Sequence, residues 1–320
     1  MAIKFGVFVP QGWRMDLVEI EDAAAKYEAM TEAARVADRT AFDSIWVYDH
    51  FHTVPTPEME ATFECWTISA TLARDTKRIN IGQMVGCNGY RNPALYAKIA
   101  STVDVASNGR LYAGLGAGWY EEEWKAYGYP WWETKERMQH FREAVEIVHK
   151  MWTEDAPVYS GRHYSIDKPI NEPKGVRKPH PPLWLGGGGE KVTLKLVAQY
   201  GDACNVGGDM ETIAHKLDVL KGHCEDVGRD PSTVINSSTI AVHLIEAGAD
   251  PEQATAKTRG PIPFAKYAEQ NLIGTIDDVK KRVEALRGVG IDYVLFYVAR
   301  VAYEPELITR MAEEVIPEFS

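Results

Sequence analysis

Short apolar runs alternate with longer amphipathic stretches along the whole chain. The runs are Ile3–Val9, Ser44–Tyr48, Ile79–Val85, Leu111–Leu115, Leu183–Leu185, Ala203–Val206, Val234–Ile245 and Tyr293–Val298. They are rich in β-branched, Leu and aromatic residues, which reads as strands buried on both faces. The stretches between them carry apolar residues at helical spacing: Ala23–Arg39, Thr62–Arg74, Pro93–Ala106, Thr134–Trp152, Lys191–Gln199, Met210–Val227, Thr275–Leu286 and Glu304–Val315. In the longest of these, Met138, Phe141, Val145 and Val148 recur every three or four positions. Two starts are marked by caps: Asn92 before Pro93, and Thr275 before Asp277 and Asp278.

Strict strand-then-helix order implies a parallel sheet covered by helices. Eight such units in 320 residues suit a (β/α)8 TIM barrel better than an open doubly wound sheet. The alternation pauses twice. Residues 153–182 carry six prolines, with Gly161–Tyr164 reading as the turn of a hairpin. Residues 246–274 are irregular. The pattern resumes in phase after each pause, so both are insertions and residues 1–320 form a single domain.

Charge and cysteine content narrow the function classes. The formal net charge is −11; so acidic a surface repels phosphate backbones and argues against nucleic-acid partners. An anionic ligand then needs a local device to hold it. The cysteines Cys65, Cys87, Cys204 and Cys224 fit no zinc spacing and read as reduced thiols of a cytoplasmic protein. Met1-Ala2-Ile3-Lys4 lacks a signal-peptide layout. No apolar run nears the ~18 residues that span a bilayer.

In a barrel, chemistry sits where strands end. The second strand runs into Tyr48-Asp49-His50-Phe51-His52, which offers an acid/base pair or, with both histidines, metal ligands. No metal site is expected. Strand alternation would point Asp49 and His50 to opposite faces unless the chain turns there. The third strand ends in Met84-Val85-Gly86-Cys87-Asn88-Gly89, a candidate bulge. The fourth ends in Gly114-Leu115-Gly116-Ala117-Gly118-Trp119, where missing side chains admit close approach, followed by an aromatic-rich segment to Trp132. The fifth runs through Gly186-Gly187-Gly188-Gly189-Glu190 toward a helix. Free amides there, with Lys191 nearby, read as an anion cradle.

Together these segments resemble the luciferase-like monooxygenase superfamily, and within it the coenzyme F420-dependent oxidoreductases. The resemblance rests on Asp49-His50-Phe51, Arg91-Asn92-Pro93, Asn108-Gly109-Arg110 leading to the glycines through Gly118, Pro181 to Lys191, and Gly274-Thr275. It implies a barrel of the bacterial luciferase type with insertions, and a deazaflavin or flavin across the C-terminal mouth. The ring would rest on a non-prolyl cis peptide at Met84–Val85, beside Gly86. Asp49 and His50 would flank it as catalytic residues, with His50 handling the proton. Gly116, Ala117 and Gly118 would lie beneath its polar edge, and Gly187, Gly188, Gly189 and Glu190 would donate amides to its tail. Trp13 and Trp119 would line the substrate pocket.

Trp119 stands where the sugar-phosphate-oxidising branch has a carboxylate, and Asp209 and Met210 where a lysine is sought; acid/base work could then also fall on Glu122 or Glu123. The expected activity is F420-dependent hydride transfer to or from a small organic molecule, with an FMN-dependent monooxygenase using O2 as the alternative. The resemblance also implies a homodimer.

Overall fold

The computed structural model describes residues 2–320. Twelve strands are present: β1 Lys4–Phe8, β2 Ser44–Val47, β3 Asn80–Gln83, β4 Gly86–Cys87, β5 Leu111–Gly116, β6 Val158–Ser160, β7 Ser165–Asp167, β8 Leu183–Gly186, β9 Ala203–Asn205, β10 Ile235–Leu244, β11 Leu272–Gly274 and β12 Tyr293–Val298. The α-helices are α1 Ala23–Asp38, α2 Cys65–Asp75, α3 Pro93–Ser107, α4 Glu121–Ala126, α5 Thr134–Thr153, α6 Thr193–Tyr200, α7 Met210–Asp226, α8 Pro251–Arg259, α9 Phe264–Gln270, α10 Ile276–Gly288 and α11 Glu306–Glu314.

Parallel pairing runs β10–β12–β1–β2–β3–β5–β8–β9 and closes through β9 with β10. This is the eight-stranded (β/α)8 TIM barrel that the alternation predicts. Its lumen is packed with Phe8, Trp46, Tyr112, Trp184, Tyr293 and Leu295, all buried. Trp46 fits because Gly6 and Gly82 leave room: a Cβ at either would stand 2.4 Å from its ring. Each such aromatic contributes roughly 1.5–3 kcal/mol by burial. A larger apolar layer lies between the strands and the helices.

The helix starts behave as their sequences predict. Asn92 accepts from the Ala94 amide at 2.9 Å, with Pro93 first in α3. Thr275 and Asp278 form a reciprocal capping box. The hairpin of the first insertion is β6 paired antiparallel with β7 around residues 161–164.

Three expectations need correction. The stretch 246–274 is not irregular: it folds as α8, α9 and β11, and β11 adds to β10 in parallel register outside the barrel. The first of its two short helices is polar, and the second, at seven residues, is too short to reveal a period. The third strand is not continuous but breaks after Gln83 and resumes as β4. Helix α6 begins at Thr193, not Lys191; Glu190–Val192 form a separate turn, Val192 supplies no side-chain cap, and the Leu194 amide closes on Gly189 O at 3.0 Å. Among the described residues no helix is long and apolar enough to cross a membrane, and all four cysteines are free and buried.

Candidate active site

The C-terminal strand ends enclose a cavity of about 730 Å³, within the range of small-molecule and cofactor sites. Trp13, Asp49, His50, the segment Met84–Gly86, Gly116–Trp119 and the bend Gly187–Glu190 all line it. The residues that the resemblance places around a coenzyme ring and its tail therefore reach one space, whereas His52, Glu122 and Asn108–Arg110 do not line it. Asp49 and His50 manage this together because β2 ends at Val47 and the chain leaves the strand before them.

The Met84–Val85 peptide is cis and non-prolyl, as the resemblance implies. Its setting is built by glycine. A Cβ on Gly116 would stand 2.5 Å from a Val85 methyl, and one on Gly186 2.8 Å. The bare strand ends of β5 and β8 are therefore the seat of the Val85 side chain, and the close approach is made by the bulge itself.

Asp49 secures the far side of that bulge. Its Oδ2 accepts the Cys87 amide at 2.7 Å, and Arg91 grips both oxygens at 2.5 and 3.0 Å. Arg91 also reaches Glu64 Oε1 at 2.5 Å, and Glu64 caps α2. Burial would lower the Arg91 pKa, but Asp49 and Glu64 outweigh it, so the guanidinium is held firmly charged. With both oxygens engaged, Asp49 is a positioning residue rather than a proton carrier.

His50 is differently placed. Its Nδ1 lies 3.0 Å from Glu123 Oε2, and its Nε2 makes no hydrogen bond among the described residues. Trp13 stacks on the ring at 4.3 Å and 4° between planes. Glu123 is fully buried. Its Oε1 accepts the amides of Phe51 and His52 at 2.5 and 2.7 Å, and its Oε2 also accepts the Tyr90 hydroxyl. Burial pushes this carboxyl up, but its donors, His50 foremost, outweigh that and hold it below the usual range. An ionised acceptor at Nδ1 places the Nδ1 proton there and leaves Nε2 to exchange a proton in the cavity. Glu122 is exposed, on the other side of α4. His52 turns its ring toward Tyr127, 5.3 Å away, so Asp49, His50 and His52 do not converge as metal ligands.

At the opposite end, Gly187 has φ +114°, a conformation open to glycine. The amides of Gly187, Gly188, Gly189 and Glu190 have no protein acceptor among the described residues. Lys216 of α7 lies across the bend: a Cβ on Gly188 would meet its Nζ at 2.5 Å, and that Nζ donates to Gly207 O at 3.2 Å. Asp209, which stands where the sugar-phosphate branch has a lysine, serves as the cap of α7. On the cavity wall, Arg137 keeps a buried Nε without a partner.

Asn108-Gly109-Arg110 has a structural task. Asn108 and Gly109 take positive φ after α3, and Arg110 donates to the carbonyls of Ala73, Thr76, Ile79 and Ser107.

A closed (β/α)8 barrel with a glycine-lined cavity at its strand ends, a cis bulge and a carboxylate-partnered histidine is the mouth of a barrel enzyme. The chain belongs to the luciferase-like monooxygenase family, whose model matches residues 3–287. It is 30% identical over 266 residues to an F420-dependent glucose-6-phosphate dehydrogenase of Amycolatopsis mediterranei (strain U-32), covering 80% of this chain and 77% of that one. It is 24% identical over 328 residues to an FMNH2-dependent dimethylsulfone monooxygenase of Pseudomonas putida, covering 92% and 89%. Among solved structures, an F420-dependent secondary alcohol dehydrogenase bound to an F420–acetone adduct superposes with a TM-score of 0.79 at 20% identity, each chain covered completely. The family contains both deazaflavin oxidoreductases and flavin monooxygenases.

Proposed function

We propose that this enzyme is an F420-dependent oxidoreductase that moves hydride between the deazaflavin and a small organic substrate. The observation that carries the reading is the His50–Glu123 pair: transfer of hydride to or from a carbon–heteroatom bond needs a proton moved at the heteroatom, and Nε2 of His50 is free in the cavity to move it. The residues fit such a coenzyme. A wall without side chains at Gly116 and Gly186, closed by Val85, offers a flat floor, and the unpaired amides of Gly187–Glu190 with Lys216 offer an anion cradle.

When bound, the deazaflavin supplies hydride exchange at its ring carbon C5. The protein supplies the rest. Gly187, Gly188, Gly189, Glu190 and Lys216 hold the acidic arm. Met84, Val85 and Gly86 would support the ring, and Gly116, Ala117 and Gly118 would flank it. His50 exchanges the proton, Glu123 fixes its tautomer, and Asp49 with Arg91 keeps the bulge in place. Trp13 and Trp119 wall the substrate side; Trp119 is 60% exposed and so stands at the entrance.

A second reading, an FMN-dependent monooxygenase using reduced flavin and O2, is favoured by the Pseudomonas putida relative and uses the same cavity. Equilibrium titration of the purified protein with F420 and with FMN separates the two. Selective F420 binding is expected; tight FMN binding with none for F420 would overturn the first reading.

A further inference from the structure

The first insertion meets α5 in a group of side chains that the cavity chemistry leaves unused. Glu136 and His140 are four residues apart on α5 and share a face. His163 sits in the turn of the β6–β7 hairpin. One ligand-competent atom from each of the three lies within 4.8 Å of the other two.

His140 is 7% exposed, and its Nδ1 has no hydrogen-bond partner. Trp132 stacks on one face of its ring at 3.6 Å, and His163 covers the other at 3.9 Å. Its Nε2 lies 4.0 Å from Glu136 Oε1. A buried imidazole so placed is held in orientation but not satisfied.

The approach of His163 is imposed by a different residue. Glu143, one turn further along α5, accepts the amides of Arg162, His163 and Tyr164, each at 2.9 Å. The hairpin turn is thereby docked on the helix, and the His163 backbone is fixed opposite His140. Its ring is half-buried and contacts only Gln139 Oε1, at 3.2 Å, by hydrogen bond. It is therefore free to turn. Glu136 is exposed, which leaves a path from solvent.

We propose that Glu136, His140 and His163 form a site for one divalent transition ion of the Zn2+ type, which fastens the insertion hairpin to α5. Two imidazoles and a carboxylate are the donor set such borderline ions take, with water as the fourth ligand. Bonds of about 2.1 Å to a tetrahedral ion set ligand atoms roughly 3.4 Å apart. The 4.0 Å between His140 Nε2 and Glu136 Oε1 closes to that by rotation of the exposed Glu136 side chain, and His163 joins them by turning its half-buried ring. The same helix carries Thr134, Arg137 and Met138 to the cavity wall, so a bound ion stiffens that wall without touching the reaction.

The test is titration of the chelator-treated full-length protein with Co2+, followed by visible absorption, and with Zn2+ by calorimetry. One equivalent of Co2+ is expected, in a tetrahedral spectrum that Zn2+ abolishes. His163→Ala, at a half-buried position, is expected to fold and to weaken binding at least about 100-fold; Glu136→Gln should weaken it about 10-fold. His215→Ala removes a separate histidine that pairs with Glu190 at 3.1 Å, and should leave the site intact. Less than one equivalent bound by the wild type, undiminished binding in folded His163→Ala, or loss of binding in His215→Ala would each overturn the proposal.

Discussion

The two ends of the cavity are built by opposite means. At the end of β8 the bend Gly187–Glu190 offers backbone: unpaired amides, absent side chains and one cation, Lys216, laid across them. At the end of β2 the site is all side chain. His50, Glu123, Tyr90, Asp49, Arg91 and Glu64 come from four segments and are tied by short hydrogen bonds. A backbone cradle tolerates any ligand with a negative arm in the right place. A side-chain network fixes a single atom, Nε2 of His50, in one protonation role. The contrast suggests that affinity resides at the first end and chemistry at the second, and substitutions can separate them.

The largest effect is expected at the network. His50→Gln keeps the ring-sized volume but cannot exchange a proton, so coenzyme affinity should hold while turnover falls roughly 10²–10⁴-fold. Single-turnover absorbance of reduced F420 with any accepted substrate measures it; an unaffected rate would move the proton role elsewhere.

At the bend, Gly188→Asp sets a carboxylate against Lys216 and over the amides. Coenzyme affinity should drop about 10–100-fold, the value of one or two lost charge-assisted bonds, with the turnover of bound coenzyme little changed. If turnover falls and affinity holds, the division between the two ends is wrong. Lys216→Met should cost less, roughly threefold to tenfold in affinity. The loss should shrink as salt rises, because the cation is exposed and screened; a salt-independent loss would show that Lys216 acts by packing.

The smallest effect is on stability against pH. The Glu123 carboxyl titrates below the ordinary value of 4.5 because donors outweigh its burial. Its folded pKa is therefore lower than its unfolded one. The stability it contributes is present above about pH 4.5 and is lost as pH falls through the folded value. Glu123→Gln, which leaves four donors facing an amide, should lower stability at pH 7 by about 1–3 kcal/mol, yet show a shallower loss on acidification. Parallel acid-unfolding curves for the two proteins would show that Glu123 does not carry this linkage.

The same contrast decided what could be read before any coordinates. Strand order, the barrel, the capped starts at Asn92 and Thr275 and the glycine bend are local signals, each contained within a few residues. Glu123 is not local: it lies 73 residues from His50, in a run of three glutamates where only burial distinguishes it from Glu121 and Glu122. Lys216 was missed because its role depends on how far along α7 the helix crosses the bend. The glycines of β5 were legible as a close approach, but the approaching group, Val85, was not, because it comes from the neighbouring strand. β11 hid because three residues on an outer edge carry too little periodicity to separate them from a loop.

The central claim is that one flat coenzyme bridges both ends of the cavity. A crystal structure of the complex with oxidised F420 tests it most directly. The account predicts the ring seated over Met84–Val85 within hydrogen-bond or stacking distance of His50, and the acidic arm on the amides of Gly187–Glu190 beside Lys216. A ring bound away from His50, or an arm that leaves those amides untouched, would contradict it.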